Sequence, residues 1–231
     1  MKFLSFESKL IDLGNSRLPK FSGTRVMMMP LILGDMSSVP ETLAHYDETL
    51  RVLFALTVGM NPQHLGKVGY ITIDEKTVKP GETHRRSGLH VDGVYRGKAG
   101  GWGGGGGWAG GGWAGGSRED GTGMLTVSSV VGCRAYNQTF SDLTMIGDEG
   151  EAYFFERECR KENEVILQAN RVYWLSPRCI HESLPMDKET NRQFVRLSLP
   201  STAPWFKGYT ENPLGIKPTG PILEPRIFMV S

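Results

Sequence analysis

The sequence has few cysteines and no long apolar run, and each shortage excludes a class of protein. Its three cysteines, Cys133, Cys159 and Cys179, are odd in number and irregularly spaced. This pattern predicts reduced thiols and excludes a disulfide framework or a cysteine-rich zinc site. No apolar stretch approaches the ~20 residues of a membrane-spanning helix, and the apolar start is too short for a signal peptide. We therefore expect a cytoplasmic protein with no membrane partner.

The chain also has almost no net charge, since 26 Lys and Arg residues face 25 Asp and Glu residues for a formal charge of +1. Such a balance gives no electrostatic argument for binding to nucleic acid or to a membrane surface. No internal repeat of about 20–50 residues is present, which excludes a solenoid. At 231 residues with 39% hydrophobic residues, the chain is expected to form one domain over 1–231.

Glycine is the one residue type in clear excess, and the excess is local. Of the 30 glycines, 12 lie between Gly100 and Gly116, interleaved with Trp102, Trp108 and Trp113. This composition predicts an insertion at about 97–123. Three interpretations stay open: a lid whose tryptophans stack on a planar or sugar-like substrate, a self-association surface, or a flexible insertion without a catalytic role.

The remaining sequence reads as many short β-rich runs and one main helix. Leu43, Tyr46, Leu50, Leu53 and Phe54 share one helical face, which predicts an amphipathic helix over 40–57 that buttresses a sheet. A mainly β chain without a β-α rhythm indicates an antiparallel sandwich or jelly roll.

Three shorter features complete this prediction. Ser38 is the expected N-cap of the helix. The methionine run 27–29 is expected to fill the core, and the tail after Pro200 is expected to wrap without regular structure.

The segment from Gly88 to Gly93 places two metal-ligand side chains on one face of an extended chain. His90 and Asp92 are two residues apart, and residues i and i+2 of a strand point the same way. His181 is the candidate third ligand. Two histidines and one carboxylate form a facial triad that leaves three metal positions open, which suits non-haem Fe(II). The alternative is that these histidines are ordinary hydrogen-bonded structural residues.

The strand from Asn191 to Leu199 carries the candidate anchor for a co-substrate. Arg192, Arg196 and Ser198 fall on one of its faces. A buried arginine must be paired, and a dicarboxylate would pair it bidentately. The alternative is an internal salt bridge, and both arginines remain candidates.

Together these residues resemble the Fe(II)/2-oxoglutarate-dependent dioxygenases over roughly 67–200. The resemblance implies a double-stranded β-helix (jelly roll), with His90, Asp92 and His181 binding Fe(II). It implies that Arg196 and Ser198 hold 2-oxoglutarate, with Arg192 as the second candidate. It also implies O₂ as oxidant, release of succinate and CO₂, and hydroxylation of a substrate C–H bond.

Several points stay open at this level. Glu82, Ser183 and Asn137 are candidate partners for the ligand imidazoles. The substrate is a small molecule, a peptide side chain or a nucleobase. The competing functions are a cupin-like metal enzyme that does not use 2-oxoglutarate and a non-catalytic jelly-roll protein, in which His90 and His181 need not meet.

Overall fold

A computed structural model of the chain describes residues 5–92, 123–147, 150–200 and 205–224. In this part of the chain the fold is mainly β, with one α-helix and short 3₁₀ turns. The strands are β1 (Phe6–Ser8), β2 (Leu10–Asn15), β3 (Arg25–Ile32), β4 (Val68–Val78), β5 (Met124–Ser128), β6 (Cys133–Tyr136), β7 (Gln138–Phe140), β8 (Glu164–Ile166), β9 (Arg171–Leu175), β10 (His181–Ser183), β11 (Thr190–Ser198), β12 (Trp205–Phe206) and β13 (Ile222–Leu223).

A six-stranded antiparallel sheet, in the order β2-β9-β5-β11-β4-β3, forms the larger layer. Strand β11 lies inside it, antiparallel to both β4 and β5. Because side chains alternate along a strand, β11 serves two environments. Val195 and Leu197 are fully buried in an apolar cluster with the helix, whereas Phe194 and Arg196 line a cavity on the other face.

The helix packs on the outer face of this sheet, as the sequence predicts. All five residues of the predicted helical face are buried, with at most 3% of their surface exposed. The start differs from the prediction, because Glu41–Tyr46 is a 3₁₀ turn and the α-helix, α1, runs over Asp47–Met60. Ser38 is not the N-cap, since its hydroxyl bonds to the backbone of Ile32 and Asp35 instead.

A smaller antiparallel sheet, in the order β10-β6-β8, faces the other side of the large one. A buried cluster joins the two sheets, with Met124 and Leu175 contributed by the large sheet and Ala135 by the small one. This packing is consistent with a β-sandwich. His90 extends the small sheet by bridging to His181 and to Glu151.

The methionine run fills the core, as the sequence predicts, and Met28 is buried in an apolar cluster with Tyr70 and Trp205. Met29 packs in the core on the helix side. Strand β3 bulges between Val26 and Met29, and Met28 has a φ of 49°. A positive φ is uncommon for a methionine. The bulge places both Met27 and Met28 on the cavity wall.

The C-terminal segment wraps over this bulge, although the sequence predicts no regular structure there. Strands β12 and β13 form a short parallel pair. The Trp205 indole donates a hydrogen bond to the Met28 carbonyl at 2.8 Å, and Thr210 bonds to the backbone of Met27. The segment therefore brings Tyr209 to the cavity.

The cysteines and the helices of the described residues bear on two classes of protein that the sequence argues against, disulfide-bonded and membrane-spanning proteins. All three cysteines are free thiols, as predicted. Across the described ranges, α1 and the 3₁₀ turns are too short and too polar for a membrane span.

Candidate metal centre

His90, Asp92 and His181 meet at one point, as the sequence predicts. One ligand atom from each residue lies within 4.8 Å of the others. The His181 Nε2 is 3.6 Å from an Asp92 carboxylate oxygen. His90 is buried and the other two residues are partly exposed, so the group has an open side.

Backbone pairing brings the two histidines together. The N–H of His90 donates to the carbonyl of His181 at 2.9 Å, and the N–H of His181 returns the bond at 3.0 Å. Residues paired in this way project their side chains to the same face of a sheet. The ring centroids consequently lie 4.4 Å apart.

Each imidazole is oriented by a backbone carbonyl two residues before it. The Nδ1 of His90 is 2.7 Å from the Gly88 carbonyl oxygen, and the Nδ1 of His181 is 2.8 Å from that of Cys179. Because a carbonyl only accepts, each Nδ1 is the donor, and in a neutral imidazole this leaves the lone pair on Nε2. Such a bond to the remote nitrogen is typical of a metal-bound histidine.

The predicted partners of the imidazoles do not take this role. In the hydrogen bonds of the described residues, both Nδ1 atoms are bound to carbonyls rather than to Glu82, Ser183 or Asn137. Ser183 instead bonds to the Gly132 carbonyl and the backbone N–H of Arg85. The prediction was wrong because carbonyls are present at every residue and leave no mark in a sequence.

The protonation states also suit a metal. Burial lowers the pKa of His90 to about 3, and the neighbouring His181 adds to the effect. Burial alone would raise the pKa of Asp92, but Arg196 and the two imidazoles outweigh it and lower that pKa to about 2. At neutral pH His90 is therefore a neutral donor and Asp92 an anionic one, as divalent metal binding requires.

Arg196 lies beside this group and is poorly satisfied. Its Nη1 is 3.3 Å from Asp92, and its Nη2 is 3.6 Å from the Met28 sulfur. Its Nε is buried and has no hydrogen-bond partner. Only 8% of Arg196 is exposed. A buried, half-satisfied guanidinium fits a carboxylate ligand that would complete its hydrogen bonds.

The other two candidate anchors lie elsewhere. Arg192 is fully buried and donates to the Gly132 carbonyl at 3.2 Å and to the hydroxyls of Ser128 and Ser183. It braces β10, which carries His181. Ser198 is in contact with the Met28 sulfur at 4.0 Å. Of these residues and Arg196, the described cavity wall includes Arg196 alone.

The cavity between the two sheets measures about 520 Å³, within the usual range for small-ligand sites. Its wall includes residues that the sequence argument missed: His84, Arg85, Met28 and Tyr209. Burial raises the pKa of Tyr209, so its hydroxyl stays protonated. Arg85 was detectable only as a cation near the ligand pair, and Tyr209 gave no signal because it comes from an irregular tail.

The predicted substrate contacts Trp102, Trp108 and Trp113 lie outside the described residues, as does the insertion at 97–123 apart from Gly123. The described chain stops at Asp92 and resumes at Gly123, beside Met124. Asp92 and Met124 both line the cavity.

Comparison with known proteins does not assign this chain to a family. No family model, curated protein or solved structure matches the chain. The structure itself shows a mainly β protein with a His-Asp-His group that could hold a metal ion.

Proposed function

We propose that the protein is an Fe(II)- and 2-oxoglutarate-dependent oxygenase that hydroxylates a C–H bond and releases succinate and CO₂. One observation carries the proposal. The side chains of His90, Asp92 and His181 line the same cavity as Arg196, whose buried Nε lacks a partner. The two antiparallel sheets would then be the halves of a double-stranded β-helix.

The donor set favours Fe(II). Two imidazole nitrogens and one carboxylate suit a non-haem iron site with open positions, whereas a closed structural zinc site uses four ligands. When bound, iron together with 2-oxoglutarate and O₂ supplies the oxidising chemistry. The chain keeps His90 neutral and Asp92 ionised and orients both imidazoles through the carbonyls of Gly88 and Cys179.

Arg196 is the proposed anchor for the far carboxylate of 2-oxoglutarate. A charge-assisted hydrogen bond of this kind contributes about 1.5–3 kcal/mol, and the apolar neighbours Met28 and Met124 keep water from competing. Tyr209 also lines this cavity, and its hydroxyl stays protonated because burial raises its pKa.

One contact favours a second candidate function. Arg196 already pairs with Asp92 at 3.3 Å, so its role would be complete if it only oriented that carboxylate. A cupin-like metal enzyme that does not use 2-oxoglutarate would need no more than this pairing. The unpartnered Nε of Arg196 favours the first proposal over the second.

The test is succinate formation from 2-oxoglutarate in the presence of Fe(II) and ascorbate. Wild type is expected to show slow turnover without a substrate, and Asp92→Ala is expected to lose it. Asp47→Ala is the matched control, because Asp47 pairs with Arg51 on the helix surface. Equal succinate formation by wild type and Asp92→Ala, or none by wild type, would contradict the proposal.

A further inference from the structure

A second polar group lines the same cavity and is not used by the proposed metal and co-substrate sites. It consists of His84 and Arg85, which lie against β4 and β11 through Asp74 and Phe194. Phe194 precedes Arg196 by two residues on the same face of β11. The group is thus displaced from Arg196 by about 7 Å along the strand.

The contacts of Arg85 fix the position of its guanidinium but do not use all of its N–H donors. Its Nη1 donates to Asp74 at 2.9 Å, and its guanidinium lies 5.3 Å from the centre of the Phe194 ring. The side chain is 25% exposed, and it lines the cavity. A guanidinium fixed by stacking and by one ion pair keeps further N–H donors for a ligand.

The charges around Arg85 do not balance. Asp74 is shared by Arg85 and Arg25, whose Nε lies 3.3 Å from the second carboxylate oxygen. One carboxylate therefore serves two guanidinium groups. His84 stays uncharged near neutrality, because burial lowers its pKa. The cluster as a whole carries one net positive charge.

His84 supplies the independent sign that a ligand belongs here. The residue is 4% exposed and lines the cavity, and its Nδ1 has no hydrogen-bond partner. Its Nε2 lies 3.3 Å from an Asp74 carboxylate oxygen. Buried polar groups are rarely left in this condition, and a ligand atom is the usual explanation at the wall of a cavity.

We propose that the primary substrate carries an anionic oxygen group, a carboxylate or a phosphate, that binds to Arg85 in the part of the cavity beside His84. This inference rests on the proposed function, since it assigns Arg196 to 2-oxoglutarate and leaves the second cation for the substrate. The anionic group would fix one end of the substrate beside Phe194 and direct the remainder toward the metal ligands. The same cavity of about 520 Å³ is lined by Arg196 and by both Arg85 and His84.

The test uses full-length protein loaded with Mn(II) as a redox-inert metal and saturated with 2-oxoglutarate. The probes are benzoate, phenyl phosphate and neutral benzamide, and the readout is paramagnetic broadening of the probe's proton NMR signals. Benzoate or phenyl phosphate is expected to bind to wild type and to be broadened by Mn(II). Tighter binding by one of the two identifies the anionic group as a carboxylate or a phosphate.

The variants distinguish loss of the positive charge at Arg85 from loss of the folded structure. Arg85→Met preserves the bulk over Phe194 and is expected to weaken anion binding about tenfold, while Arg85→Lys retains most of the affinity. Arg51→Met, on the helix surface, is expected to bind like wild type. Thermal unfolding followed by circular dichroism establishes that each variant is folded. Affinity for 2-oxoglutarate is expected to fall much less than affinity for the anionic probes in Arg85→Met, because Arg85 lies in the same cavity as Arg196 but is not its anchor.

Each remaining outcome has a defined meaning. If wild type binds Mn(II) and 2-oxoglutarate but no anionic probe, the anionic-substrate inference fails and the proposed function stands. If 2-oxoglutarate does not bind to the Mn(II)-loaded protein, both fail. Equal binding of benzamide and benzoate, displacement of the probes by 2-oxoglutarate, or loss of 2-oxoglutarate binding in Arg85→Met would each overturn the inference.

Discussion

Two buried charged groups on opposite faces of the six-stranded sheet are satisfied to different degrees. On the helix face, the buried Glu75 carboxylate accepts hydrogen bonds from the Tyr46 hydroxyl, the Gln193 amide and three consecutive backbone N–H groups at 22–24. On the cavity face, Arg196 Nε and His84 Nδ1 have no partner.

The completeness of the hydrogen bonds distinguishes a structural group from a candidate binding group better than the degree of burial does. Glu75 and Arg196 are both buried, with 1% and 8% of their surface exposed. Yet the first completes a network that fixes the helix to the sheet, and the second is left short of hydrogen bonds. Because an unpaired buried donor is unfavourable, a face that retains several of them is prepared for a ligand.

The largest expected effect comes from the metal ligands. Asp92→Ala removes one of three donors and leaves Arg196 without its ion pair. We expect the affinity for Mn(II), measured by isothermal titration calorimetry, to fall at least about a hundredfold. The control is Asp47→Ala, which is expected to bind Mn(II) like wild type. Retained affinity in Asp92→Ala would show that the cavity face holds no metal.

The next effect belongs to the helix face. Glu75→Ala leaves the Tyr46 hydroxyl and the N–H groups at 22–24 without their acceptor. It also removes one acceptor of the Gln193 amide, which keeps its bonds to Pro19 and Tyr46. We expect a loss of about 3 kcal/mol in the free energy of unfolding, measured in urea. Mn(II) affinity of the folded variant is expected to be unchanged. A large loss of metal affinity without a loss of stability would contradict the division between the two faces.

Acid should weaken the same network. Burial opposes ionisation of Glu75, but bonds from Tyr46, Gln193 and the 22–24 backbone lower its pKa from 4.5 to about 2. The ionised group is thus stabilised by folding, fully above pH 4.5 and progressively less as pH falls toward 2. We expect a loss of about 2 kcal/mol by pH 3, seen in urea unfolding.

A matched variant isolates this pH effect. Glu75→Gln cannot ionise, so its unfolding free energy should change less than that of wild type between pH 5 and 3, by about the same 2 kcal/mol. If both proteins lose stability in parallel over this range, the carboxylate of Glu75 is not the group responsible.

The smallest effect distinguishes the two arginines of β11. Arg196→Met is expected to weaken 2-oxoglutarate binding to the Mn(II)-loaded protein about tenfold, with little change in stability. Arg192→Met removes the brace on Gly132 and Ser183 and is expected to lower stability instead. Calorimetric titration and thermal unfolding of both variants check the contrast. The reverse pattern would assign the co-substrate to Arg192.

Much of the site follows from local rules in the sequence. Alternation along an extended segment predicts that His90 and Asp92 share a face, although the structure forms only isolated bridges at His90 and no strand there. Along β11 the same alternation separates Arg196 from the apolar face of Val195 and Leu197. The helical face of α1 follows from its spacing for the same reason. These predictions depend on neighbours within a few residues of each other.

The remainder depends on contacts between distant parts of the chain. His181 meets His90 through a backbone pairing across 91 positions, and the bulge at Met28 bends β3 toward the cavity. Tyr209 reaches the wall because an irregular segment wraps over that bulge. Bulges and carbonyl acceptors have no residue signature, so the sequence could not identify them.

The central claim is that the unsatisfied face holds Fe(II) and 2-oxoglutarate together. The most direct test is an anaerobic titration that follows the visible charge-transfer band produced when 2-oxoglutarate chelates Fe(II). We expect wild type to develop the band and to saturate with 2-oxoglutarate, and Asp92→Ala to show none. A wild-type protein that binds Fe(II) but develops no band on addition of 2-oxoglutarate would contradict the account.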